Sequence, residues 1–195
     1  FILYIFILPP LTAQSDTDGH ISLAAVGDIM LGTSFPDVKY LPPGNDPYPL
    51  MLSMFGVLSK ADITFGNLEG PFSDNAKLAK KCRDTTRCYA FRVPEKYAGV
   101  LDEAGFDLIS IANNHIGDFG YDGKITTVRL LDSLNISYAG TDEHPYSIRK
   151  IRDTIRIGFC AFAPNKGTVN LHDEKRVEDI VRLLVDSTDI VIVSV

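Results

Sequence analysis

Residues 91–123 read FRVPEKYAGVLDEAGFDLISIANNHIGDFGYDG. The spacing of apolar residues predicts a helix over Pro94–Ala104, a strand over DLISIAN, and a second helix that starts at Tyr121 and runs to Leu134. Apolar sequence gives way abruptly to Asn113, Asn114 and His115 at the end of the strand. In open α/β sheets, polar groups at that end of a strand are where functional sites gather.

The same scheme extends in both directions. Upstream, ISLAAVGDIML (21–31) is a nearly continuous apolar run broken by Gly27 and Asp28, which fits a strand covered on both faces. The Pro- and Gly-rich stretch 35–49 is loop. Leu50, Met54, Val57 and Leu58 share one face of a following helix, and Ala61–Phe65 makes a second strand. Downstream come a short strand ISYAG, then SIRKI and TIRIGFCAF as a hairpin turning at Arg152 and Asp153. A helix over Asp173–Val185 leads to DIVIVSV, whose apolar run suits a central strand. Strands alternating with helices in this way predict an α/β layered sandwich with a mostly parallel sheet. At 195 residues, 45% of them hydrophobic and 23% charged, the chain can bury one sizeable core, so one domain over 21–195 is expected.

The first residues differ in character. Phe1 to Leu8 is wholly apolar and is followed by Pro9, Pro10, Leu11, Thr12 and Ala13. This reads as the end of an export signal cut after Ala13, or as the end of an amino-terminal membrane anchor, with 14–20 as a polar linker. Export makes Cys82 and Cys88, which share one polar loop, a disulfide candidate. Cys160 sits in RIGFCAF and reads as a small buried hydrophobe. A net charge of −6 argues against nucleic acid as a partner, because phosphate backbones are held by clustered Lys and Arg. One local exception is a basic loop carrying Lys77, Lys80, Lys81, Arg83, Arg87 and Arg92 against Asp74 and Asp84. It is either an ordinary solvated surface or a means of drawing a polyanion toward the cluster that precedes it.

Three strand ends carry polar groups: Asp28, then Asn67 and Glu69 within GNLEG, then Asn113, Asn114 and His115. Taken singly, each residue is a turn former, a helix cap or a hydrogen-bonded structural histidine. Side by side in one sheet they converge on one rim. Carboxylates from Asp28 and Glu69, neutral oxygens from Asn67 and Asn114, and the His115 imidazole form a mixed set that suits zinc, manganese or iron better than magnesium or calcium. Two-metal hydrolytic centres use such donors to activate water and clamp a transferring phosphoryl group. His20, His144 and His172 lie in loops and are not recruited.

The segments VGDIMLG (26–32), ADITFGNLEGPF (61–72) and the 91–123 stretch resemble, in order and in register, the CapA, poly-gamma-glutamate capsule-synthesis family. That family is similar in fold to calcineurin-like metallophosphoesterases. The likeness continues through LLDSLNISYAGT and RIGFCAFAP. It implies a divalent-metal site, two ions in the full-length protein, with Asp28, Asn67, Glu69 and Asn114 as ligands. It implies that His115 protonates a leaving oxygen while Asp118 orients it. Two positions depart from the metallophosphoesterase pattern: Met30 stands where a histidine is usual, and Asn67 where many such enzymes carry a bridging aspartate. Further histidine ligands are expected after a strand like DIVIVSV, beyond Val195, so the chain reads as the first part of such a domain. The implied partners are an anionic cell-envelope polymer or phosphoester and a membrane-bound capsule-synthesis complex. Two functions stay open: a metal-dependent hydrolase, and a noncatalytic polymer-binding component of polymer assembly or export.

Overall fold

A computed structural model describes residues 3–7, 19–82 and 88–195. Among these residues, eight strands form two four-stranded sheets. The first is parallel throughout, in the order β2 (Leu23–Ile29), β3 (Ile63–Leu68), β4 (Leu108–Ser110), β5 (Ser137–Ala139). The second is mixed, in the order β1 (Leu3–Ile7), β8 (Ile190–Ser194), β7 (Ile155–Ala161), β6 (Tyr146–Ile151), with only β7 and β8 parallel.

The two sheets face each other. Ile63, Phe65, Leu108 and Ala139 of the parallel sheet pack against Ile157, Phe159, Ala161 and Ile192 of the mixed one. The Phe65 and Phe159 ring centroids are 5.5 Å apart. Helices cover the outer faces. On the parallel sheet lie α1 (Tyr48–Leu58), α2 (Gly99–Ala104) and α3 (Gly120–Ser133), through Leu58, Val100, Leu101, Ala104 and Leu131. On the mixed sheet lies α4 (Glu174–Ser187), whose Ile180 and Leu184 meet Cys160, Phe162, Val191 and Val193. The result is a layered α/β sandwich consistent with a metallophosphoesterase-like fold. Strand alternation alone left open that the strands divide between two sheets.

Elements shift at their edges. β3 runs on through Gly66, Asn67 and Leu68 and is buried along its length, whereas β4 is shorter than DLISIAN. The Pro94–Ala104 helix opens with a 3-10 turn, Glu95–Tyr97, before α2. The hairpin turn holds Arg152 and Asp153 at positive φ, 45° and 59°. Cys82 and Cys88 form a disulfide, and Cys160 is fully buried.

Two expectations are corrected. The run 21–31 is covered on both faces only in part: Leu23 packs between the sheets and Ala24 and Val26 beneath the helices, while Ala25, Gly27 and Asp28 are exposed, and among the described residues β2 is an edge strand paired only with β3. The inward face of α1 is not Leu50, Met54 and Val57, which are exposed; Met51, Phe55 and Leu58 pack on the core instead. α1 is apolar nearly all round, so helical spacing offers two faces and only packing chooses between them. Within the expected signal or anchor segment, Leu3–Ile7 is the edge strand β1, antiparallel to β8. Ala13 and most of the linker lie outside the described residues, as do Arg83, Asp84 and Arg87 of the basic loop.

Candidate functional site

Along β3, Ile63, Phe65 and Asn67 share a face by the two-residue period of a strand. Asn67 is thus the polar end of the row that fills the space between the sheets. A bulge in β2 between Ala25 and Asp28 brings Asp28 opposite Asn67. The Asn67 Nδ2 donates to Asp28 Oδ1 at 2.8 Å and to Glu69 Oε2 at 3.2 Å. Gly70, at φ 110°, lets the chain leave β3 against Phe91, whose Cβ would stand 2.8 Å from any added Cβ.

The orientation of the Asn67 amide is dictated by its neighbour. Asn113 Oδ1 accepts the backbone N–H groups of His115 and Ile116, at 3.0 and 2.9 Å. The Asn113 Nδ2 must therefore donate, and it does so to the Leu68 carbonyl at 2.8 Å and to Asn67 Oδ1 at 3.2 Å. Asn67 is left with only its nitrogen to present to the two carboxylates.

His115 is almost wholly buried. Its Nδ1 stands 2.6 Å from Asp118 Oδ2, which also accepts the Phe91 N–H at 3.0 Å. Because that carboxylate oxygen accepts, the Nδ1 carries the proton and Nε2 is left facing Glu69 Oε1 at 3.5 Å. The Phe91 ring lies over the imidazole, centroids 4.1 Å apart. Lys80 pairs with Asp118 Oδ1 at 2.9 Å, and the Ala79 and Lys80 N–H groups donate to the Asp118 carbonyl. Burial pushes the Glu69 carboxyl above its ordinary range; His115 draws it down and Asp28 pushes it further up.

Asp28, Asn67, Glu69, His115 and Asp118 thus form one connected cluster. Asn114 does not join it: its neighbour Asn113 points inward, while Asn114 is exposed in the wall of an adjoining cleft. Asn113, Phe91 and Lys80 belong to the site without having been assigned to it. A local signal existed for Asn113, since Asn side chains often cap the backbone two and three residues on. Phe91 and Lys80 are brought in by long-range packing alone.

In donor chemistry, the carboxylates of Asp28 and Glu69 concentrate negative charge around one amide nitrogen, and such oxygen donors fit a divalent cation. Among the described residues, no three of His, Cys, Asp or Glu are grouped as a metal cage. As the side chains stand, the oxygen donors at this point are those of Asp28 and Glu69, with the Asn67 N–H groups between them.

A profile described as bacterial capsule synthesis protein PGA_cap matches residues 22–195. The uncharacterized proteins y4sH and y4uA of Sinorhizobium fredii (strain NBRC 101917 / NGR234) are each 30% identical over 133 residues, covering 68% of this chain and 27% of their own length. The capsule biosynthesis protein CapA of Bacillus anthracis is 26% identical over 133 residues, covering 67% of this chain and 31% of its own. The chain thus spans about a third or less of the length of these relatives. No helix among the described residues is long and apolar enough to cross a membrane.

Proposed function

The chain belongs to the bacterial capsule synthesis protein family PGA_cap, and from that premise we propose that it carries an acid–base site for metal-assisted hydrolysis within an exported, cell-envelope polymer pathway. The substrate class is a phosphoester or a related bond in an anionic envelope polymer, handled beside a membrane-bound synthesis complex. One observation carries the reading: a buried imidazole whose Nδ1 is tied to Asp118 turns its Nε2 toward the Glu69 carboxylate, which the Asn67 amide links to Asp28.

Asp118 fixes the tautomer and the ring plane of His115, and Phe91 confines the ring from one side. In the protonated state Nε2 would give its proton to a leaving oxygen, and Asp118 would stabilise the charge on the ring before that transfer. Asp28 and Glu69 are the residues that would hold a divalent cation, manganese, zinc or iron by donor type, and Asn67 would join them only by turning its amide oxygen away from Asn113. The chemistry such a cation supplies when bound is neutralisation of charge on a transferring phosphoryl group.

The test is cleavage of an artificial phosphodiester by the full-length protein with added manganese or zinc. His115→Ala should lower the rate by ~10²–10⁴-fold, the usual contribution of a general acid. Asp118→Asn should also lose rate. An unchanged rate in His115→Ala would remove the acid–base reading.

A noncatalytic role in polymer binding is the second reading, and the Asn67 amide favours it. Its N–H already bridges the two carboxylates that a cation would otherwise join. Polymer binding in the absence of metal, with no turnover under any condition, would select this reading.

A further inference from the structure

Beside the acid–base cluster lies a cleft of about 600 Å³. Four lysines line it, from three separate parts of the fold: Lys80 and Lys81 from the basic loop, Lys124 from α3, and Lys166 from the loop after β7. Two carboxylates stand against them: Asp118, already paired with Lys80, and Glu143. Among the described residues, Lys81, Lys124 and Lys166 form no ion pair, and Lys81 and Lys166 are exposed. On a chain of net charge −6 this is a concentrated patch of the opposite sign. Such a patch in a concave wall focuses the field on a negatively charged ligand.

The cleft is held in shape by the chain itself. Lys124 Nζ donates to the Gly167 carbonyl at 3.2 Å. Gly167 sits at φ 84°, the left-handed region that favours glycine, and so turns its carbonyl toward that Nζ without strain. Thr168 closes the same loop by donating through its hydroxyl to the Asn165 and Ala163 carbonyls.

We propose that this cleft is the binding groove for a flexible polyanion, whose recurring anionic groups pair with Lys81, Lys124 and Lys166 while Asn114 supplies a neutral contact. Lysines spread over separate segments suit a ligand with repeated charges, whereas a single planar anion calls for an arginine fork. The groove shares Lys80, Asn113 and Asp118 with the site, so a chain lying in it passes directly beside His115. The exposed Asn114 finds its use here. The inference rests on reading the site as one for an anionic polymer, and it names the residues that hold that polymer.

The experiment measures binding by calorimetry, in the full-length protein carrying His115→Ala and in the presence of chelator, so that neither turnover nor metal enters. Polyglutamate serves as the carboxylate probe, inorganic polyphosphate as the phosphate probe and dextran as the neutral control. Wild-type lysines should bind at least one polyanion and not dextran. Lys81→Gln, Lys124→Gln and Lys166→Gln should each weaken binding about threefold, and the triple variant about thirtyfold, as expected of partly exposed charge pairs. Glu143→Gln should tighten it. Circular dichroism establishes that each variant is folded, and Lys81→Gln with Lys166→Gln, both at exposed positions, serves if Lys124→Gln is not. The probe that loses more affinity in the triple variant identifies the anionic group. Unchanged binding in the triple variant overturns the proposal, and so does no polyanion binding at all. An equal loss on changing Lys39, Lys60 and Lys175, which lie outside the cleft, overturns it as well. Binding that follows these expectations while His115→Ala leaves turnover intact would sink the catalytic reading and keep the groove.

Discussion

Asn113 and Asn67 set the state of the site between them, through a run of amide donors that starts at two backbone N–H groups and ends on two carboxylates. At its end stands Glu69, whose folded pKa is raised chiefly by burial while the Asn67 hydrogen bond works in the opposite direction. A carboxyl whose pKa rises on folding contributes stability that is fully present below its unfolded value, 4.5, and is lost as pH climbs through the folded value. Glu69→Gln should therefore melt above wild type at pH 7–8, with the difference closing toward pH 4 in thermal unfolding. Melting points that stay parallel across that range would show that Glu69 ionises freely. At this scale the sequence was informative about residue type and less so about partner. Asp28, Glu69 and His115 announce themselves as polar residues breaking apolar runs, but which of two adjacent asparagines faces inward depends on a turn geometry that either side chain could serve.

Between elements, Asp62 ties the starts of two neighbouring strands. It precedes β3, accepts the Ser22 backbone N–H and hydroxyl at 2.8 and 2.7 Å, and takes Arg152 from the β6–β7 turn at 2.6 Å. Those bonds, Ser22's first, hold its carboxyl at about 2. A carboxyl lowered in the fold contributes stability above its unfolded value, 3.8, which is lost as pH falls toward 2. Asp62→Asn should flatten the acid limb of a stability–pH curve between about pH 4 and pH 2, with little change in its shape at neutral pH; an unaltered acid limb would mean the tie between the sheets is not made in solution. Periodicity identified nearly every element here, including the hairpin and the closing strand. It failed for α1, where apolar residues all round leave the inward face to be chosen by Met51, Phe55 and Leu58. It also could not show that β2 is an edge, since an apolar run reads alike whether one neighbour or two will cover it.

In the whole molecule, the two sheets meet through a thin apolar layer in which the Phe159 ring packs on that of Phe65. Phe159→Ala should cost about 3–5 kcal/mol in denaturant unfolding, as for other fully buried aromatic side chains. A loss under 1 kcal/mol would mean the layer collapses around the gap. The pairing of the two sheets was the part least legible in advance, because β6 to β8 differ from β2 to β5 in order and direction and not in composition. The Cys82–Cys88 bridge adds a consequence of its own. It closes the loop immediately after Lys80, whose backbone and ammonium both rest on Asp118. Reduction of the disulfide would leave every side chain of the cluster chemically intact and release only the strap that follows Lys80 in the chain.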